Sequence, residues 1–154
     1  MSKIIAILLY FSLATGLFAS SQIVKGGVIT DGLDLSAVEI GEHSGYTRIV
    51  FYANYWVGEQ PSKAGKPAES GGFYTFILSD DGRSIQAELS GYRSSSIKDI
   101  ETSKYPNIIS IKPLLGEEYG DDSSLFYQIK LAKPSTIKAF TLNDPARIVL
   151  DISE

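Results

Sequence analysis

Cysteine is absent from the 154 residues, and Met, Trp and His occur once each. Without a thiol there is no disulfide framework, no thiolate nucleophile and no thioether-linked lipid anchor, so the fold must be held by its core. The one imidazole, His43, cannot supply the several His and Glu ligands of a catalytic zinc. As the base of a serine hydrolase it would stand in a Gly-flanked stretch, in a chain with no Gly-x-Ser-x-Gly elbow. His43 therefore reads as a plain turn residue. No Asn-x-Ser/Thr sequon occurs, which is consistent with a bacterial exporter. Basic residues are in deficit, 14 Lys and Arg against 18 Asp and Glu, and this disfavours nucleic acid as a partner.

The chain has a single long apolar run. Residues 4–19, IIAILLYFSLATGLFA, follow Lys3 with Ser12, Thr15 and Gly16 inside them, short of the ~20 apolar residues of a spanning helix. A charged start, a short apolar stretch and small residues at Ala19, Ser20 and Ser21 form a secretory signal. Residues 1–20 are expected to be cleaved, leaving an exported, periplasmic chain with no stable membrane anchor. Without Lys3, 13 basic residues against 18 acidic give a net charge of −5. The remaining residues suffice for one domain.

After a Gly-rich lead-in at residues 21–36, residues 37–56 read as strand (37–40), Gly-bounded turn (41–45) and a β-branched and aromatic strand (47–56). Residues 57–72, VGEQPSKAGKPAESGG, have no apolar period and read as a long exposed loop. FILSDDGRSIQAELS then forms a hairpin, with Ile85, Ala87 and Leu89 on the buried face and Ser84, Gln86 and Glu88 on the wet one.

The same order returns in residues 107–153. Residues 108–111 stand where 37–40 stood, 125–131 where 48–54 stood, and FTLNDPARIVLDIS repeats the hairpin. Phe76, Leu78, Asp80 and Arg83 match Phe140, Leu142, Asp144 and Arg147 at an offset of 64, whereas Ile85, Glu88 and Leu89 match Ile148, Asp151 and Ile152 at 63. On this alignment the first copy carries one extra turn residue. Neither unit, residues 37–90 or 107–153, can bury its own apolar face, so the two are expected to close on each other. The fold class is mostly β, a sandwich of two antiparallel sheets built from an internal repeat. At most one short helix is expected, at the Ser96/Asp99 capping box with Ile97 and Ile100.

TRIVFYANYW, FILSDDGRSIQAELS and FTLNDPARIVLDIS together resemble the AMIN domain, whose hallmark is a Thr-Arg strand, then Phe-x-Leu, a Pro-x-Arg turn and an apolar strand closing on Asp-Leu or Asp-Ile. The match spans residues 37–153 and departs from the pattern at Asp81-Gly82, at Leu125-Phe126 in place of Thr-Arg, and at the long loop. The resemblance implies an envelope-targeting module that does no chemistry and needs no cofactor. Such modules accompany periplasmic amidases and secretins, and their implied partner is peptidoglycan or an envelope protein complex. The alternative is an assembly factor that pairs a strand edge with a secretin or pilus component.

Aromatic residues are the leading candidates for contact. Phe51, Tyr52, Tyr55 and Trp56 precede the long loop, and Phe73, Tyr74 and Phe76 follow it. Alternation sends Phe51 and Phe76 inward and turns Tyr52 and Trp56 the other way; Tyr52, Tyr55, Trp56 and Tyr74 are the candidates for sugar stacking. Lys63 and Lys66 on the loop could meet polymer carboxylates. Arg83 and Arg147 either lie across their own turns or grip a carboxylate in bidentate fashion. The carboxylate pairs Glu117/Glu118 and Asp121/Asp122 read as a solvated turn.

Overall fold

The computed structural model describes residues 21–58, 65–119 and 123–154; the expected signal segment and Lys63 lie outside them. Ten strands form two five-stranded sheets. The first has the order β1 (Gln22–Gly27), β4 (Phe73–Leu78), β5 (Ser84–Ser90), β8 (Ser124–Leu131), β7 (Ile108–Pro113). The second has the order β6 (Tyr92–Ser95), β2 (Leu33–His43), β3 (Tyr46–Tyr55), β10 (Arg147–Ser153), β9 (Thr136–Leu142). Every pair is antiparallel except the short parallel contact of β2 with β6. The only helical turn among the described residues is 3-10, at Glu117–Tyr119. The Ser96/Asp99 box forms no helix, because the Ser96 hydroxyl turns back to the Asp34 carboxylate.

Alternation sets the core. Ile85, Ala87 and Leu89 of β5 and Ile148, Leu150 and Ile152 of β10 are fully buried and share one core with Phe51, Ile49 and Phe76. A one-residue slip of β10 would turn three such side chains outward at about 1.5–3 kcal/mol each, comparable with the whole stability of a domain. The register is therefore tightly specified.

The two sequence units exchange strands. Replacing β2–β3–β4–β5 by β7–β8–β9–β10 converts the order β4-β5-β8-β7 of one sheet into β9-β10-β3-β2 of the other. Registers agree as well. Ile85 opposes Leu78 and Ile129, and Ile148 opposes Thr141 and Phe51 in the same way. A bulge falls at Ser36 in β2 and at the equivalent Ile109 in β7. The residue two positions before each bulge is a buried polar one, Asp34 and Asn107. Each unit thus buries its face against the other.

These registers correct the residue matching. Both β4–β5 and β9–β10 are offset by 63 throughout, with no extra turn residue, so Phe76 corresponds to Ala139 rather than Phe140. Phe140 faces outward, where the Arg48 guanidinium lies 5.4 Å from its ring centroid. Likewise Leu125 corresponds to Thr47 and Ile108 to Leu35, so the equivalences of 125–131 with 48–54 and 108–111 with 37–40 are out of register. Within the Gly-rich lead-in, residues 22–27 form the edge strand β1, and Leu33, Asp34 and Leu35 are fully buried. Gly41 and His43 belong to β2, and His43 stacks on Tyr46 at 4.7 Å, so it is a strand residue rather than a turn residue.

One flank of the sandwich is tied by Gln22, whose amide donates to the Ile137 carbonyl (2.7 Å) and accepts from the Ile137 N–H (3.0 Å). The other flank is crossed by residues 96–107, with Ile97, Ile100 and Tyr105 packed against the core.

Candidate functional site

Strand β3 carries its odd-numbered residues into the core and its even-numbered ones to the outer face of the second sheet. Thr47, Ile49, Phe51 and Ala53 are buried, while Arg48, Tyr52 and Asn54 lie on the outside. Outside, Arg48 donates to both Asp151 oxygens at 2.7 and 2.8 Å, and its guanidinium lies 5.3 Å from the Tyr46 ring centroid. The Thr-Arg and Asp-Ile of the sequence pattern are thus the two halves of one bidentate pair across β3 and β10. The equivalent pair in the first sheet is Phe126 opposite Glu88, whose carboxylate accepts from the Ser90 and Ser124 hydroxyls instead.

Further along β3, Tyr52 stands in register with Arg147. Its hydroxyl donates to Glu39 Oε2 at 2.9 Å. Burial, then the hydrogen bond and charge of Glu39, push its pKa up, against an opposing effect of Arg147. Arg147 also donates to the carbonyls of Asn143 and Pro145, so it lies across its own turn.

At the end of β3, Tyr55 and Trp56 remain 38% and 39% exposed although their backbone is fixed. The Tyr55 N–H donates to the Lys66 carbonyl and the Trp56 N–H to the Gly32 carbonyl, both at 2.8 Å. Asn54 Nδ2 donates to the Gly65 carbonyl at 3.0 Å, and the Tyr55 hydroxyl accepts the Glu69 N–H at 3.3 Å. This returning arm of the long loop approaches so closely that a Cβ at residue 65 would sit 1.9 Å from the Tyr55 carbonyl oxygen, which explains Gly65. Val57, 47% exposed, continues the patch.

Of the residues singled out in the sequence, Tyr52, Tyr55, Trp56, Lys66 and Arg147 therefore share one end of the second sheet. Tyr74 does not join them. It is 4% exposed, its ring 5.2 Å from Phe76 and its hydroxyl over Gly26, and burial pushes its pKa up. Arg83 lies at the opposite end, on the β4–β5 turn, where its backbone N–H donates to the Asp81 carboxylate. Lys63, Asp121 and Asp122 lie outside the described residues.

A concavity of about 660 Å³ escaped the sequence reading. It runs between β7 and the 96–107 crossover, with Leu125 and Tyr127 of β8 at its back. Burial raises the Tyr127 pKa, opposed in part by a hydrogen bond with Ser95. The signal available in the sequence was Ile97 and Ile100 in a segment otherwise polar; they cover the core without belonging to a helix or strand. Comparisons of the chain with protein-family models, with curated proteins and with solved structures return no match.

Proposed function

We propose that the chain is a non-catalytic, exported module that binds the peptidoglycan of the cell envelope through the Tyr55–Trp56 end of the second sheet. One observation carries this reading. The fold builds the same corner twice, and where β3 ends in Tyr55-Trp56 and a long loop, the equivalent end of β8 continues into Lys133-Pro134 and a short turn. The sandwich closes there without aromatic residues, so the exposed pair is not required by the fold. A ring presented on a fixed backbone offers an apolar face to sugar C–H groups at little entropic cost. Arg147 and Lys66 beside it suit the carboxylates of stem peptides. The resemblance to the AMIN domain supports the same class of ligand.

The test is retention of the purified protein on isolated sacculi. Retention is expected to survive high salt, to be lost in Trp56→Ala and to persist in Arg83→Ala, whose side chain is at the far end. Absence of retention, or equal retention of both variants, refutes the assignment and moves the function to docking on an envelope protein complex.

A further inference from the structure

The groove beside β7 is built differently from the aromatic end and does not depend on the reading given to that end. Strand β7 is the last strand of its sheet and pairs with another strand on one side only. Its start is covered, since the Thr102 hydroxyl donates to the Ile109 carbonyl at 3.2 Å. Beyond the bulge at Ile109, residues 110–113 border the groove. The Leu114 N–H donates to the Phe126 carbonyl, and this register turns the backbone groups of Ser110 and Lys112 to β8 and leaves those of Ile111 and the Pro113 carbonyl on the free edge. The inner wall is apolar: Ile97 and Ile100 from the crossover, Ile111 from β7, Leu125 from β8. Ile109 stands at the rim, 58% exposed.

The rim is also cationic. Lys98, Lys112 and Lys130 border the groove, all exposed, and none is ion-paired within the described residues. Asp99 is the single opposing charge there. This concentration of positive charge occurs in a chain whose net charge is −4. On the other side of the crossover, a hollow of about 370 Å³ against β2 carries Glu39, Asp99 and Glu101 instead. An anionic partner is therefore directed to the β7 side.

We propose that this groove receives an extended peptide of alternating apolar and acidic residues, its backbone pairing with β7 at Ile111, its apolar side chains against Ile97, Ile111 and Leu125, and its carboxylates at Lys98, Lys112 and Lys130. The open backbone edge favours a peptide over an acyl chain, because only a peptide satisfies those N–H and C=O groups while filling an apolar wall. Pro113 has no N–H to offer and ends the pairing, so the partner strand is short.

The experiment is fluorescence anisotropy of the protein with labelled octapeptides of alternating Val and Glu, or Val and Lys, and with dodecanoate as competitor. Saturable binding of the Val/Glu peptide is expected, weakened about tenfold or more by the triple variant Lys98→Glu, Lys112→Glu, Lys130→Glu, with a thermal transition like that of the parent. Amide shifts of the bound protein should then cluster at residues 109–112. Equal binding of the Val/Lys peptide, insensitivity to the triple variant, or shifts confined to the Trp56 end overturns the proposal. Binding of dodecanoate but not of the Val/Glu peptide overturns it too and assigns the groove to a lipid-like anion. Loss of sacculus binding in Trp56→Ala leaves these measurements unchanged.

Discussion

Replacing Arg48 by Met keeps the stem of the side chain and removes its charge, and the structure sets what this should cost. Two short hydrogen bonds join Arg48 to Asp151, whose side chain is only 15% exposed against 30% for Arg48. A fully exposed pair would be worth at most about 1 kcal/mol, whereas hydrogen bonds to charged groups in less solvated surroundings contribute about 1.5–3 kcal/mol. The variant also loses the guanidinium contacts with Tyr46 and Phe140, about 0.5 kcal/mol each at this exposure. Discounting the pair for its partial exposure, Arg48→Met should destabilise by about 2–3 kcal/mol. Much of that is the carboxylate left half-buried without its partner. Arg48→Met combined with Asp151→Leu should therefore recover to within about 1 kcal/mol of the parent, with a coupling energy of about 1–2 kcal/mol. Urea unfolding followed by far-UV circular dichroism measures all four corners of the cycle. Glu88→Ala is the internal control, since Glu88 occupies the equivalent position opposite Phe126 and should change stability by less than about 0.5 kcal/mol. A coupling energy near zero, or equal costs for Arg48→Met and Glu88→Ala, would refute the reasoning.

Tyr92→Phe should cost about 1–2 kcal/mol, read as a lower thermal midpoint, because the buried Gly71 carbonyl loses the hydroxyl that donates to it at 2.7 Å while the ring volume is kept. Burial raises the pKa of Tyr92, Tyr127 and Tyr74, so these phenols favour the protonated form in the folded state. Their contribution to stability is complete below the ordinary tyrosine value of about 10 and is lost as pH rises above it, so tyrosinate absorbance should lag and then appear together with unfolding. Smooth titration of every tyrosine in a chain that stays folded would contradict this. Gly72→Ala should destabilise strongly, because φ is +80° there and a Cβ would stand 2.7 Å from the Ser90 carbonyl oxygen and 2.9 Å from Leu33; an unchanged urea midpoint would count against that packing.

Much of the fold was legible because strand β5 alternates cleanly and strand β10 repeats it: Ile85, Ala87, Leu89 and Ile148, Leu150, Ile152 share the core face, although Val149 on the outer face of β10 is buried too. Strand β9 misled, since Ile137 and Ala139 face inward while Phe140 and Leu142 face outward, and matching the letters Phe-x-Leu paired an outer residue with an inner one. Its register follows from Ile137 and Ala139 opposite the buried Ile152 and Leu150, while the outward Phe140 meets the Arg48 guanidinium, a contact made across the sheet and invisible to local pattern. Glycine misled in a second way. Gly26, Gly71 and Gly72 suggested loose chain, yet each marks a close approach: Tyr74 over Gly26, Arg147 and Ile148 against Gly71, Leu33 and Tyr92 against Gly72. At the candidate site, the aromatic end was visible as composition, but the removal of Tyr74 to the core follows from the phase of β4. The groove beside β7 is assembled from three separated segments and had no local signal beyond Ile97 and Ile100.

Trp56 is the only tryptophan in the chain, so its fluorescence reports on the proposed binding end alone. Titration with soluble glycan–peptide fragments of the cell wall should produce a saturable change in emission, lessened in Arg147→Ala. A flat titration, with the same fragments still competing the protein off sacculi, would place the binding surface elsewhere and contradict the account.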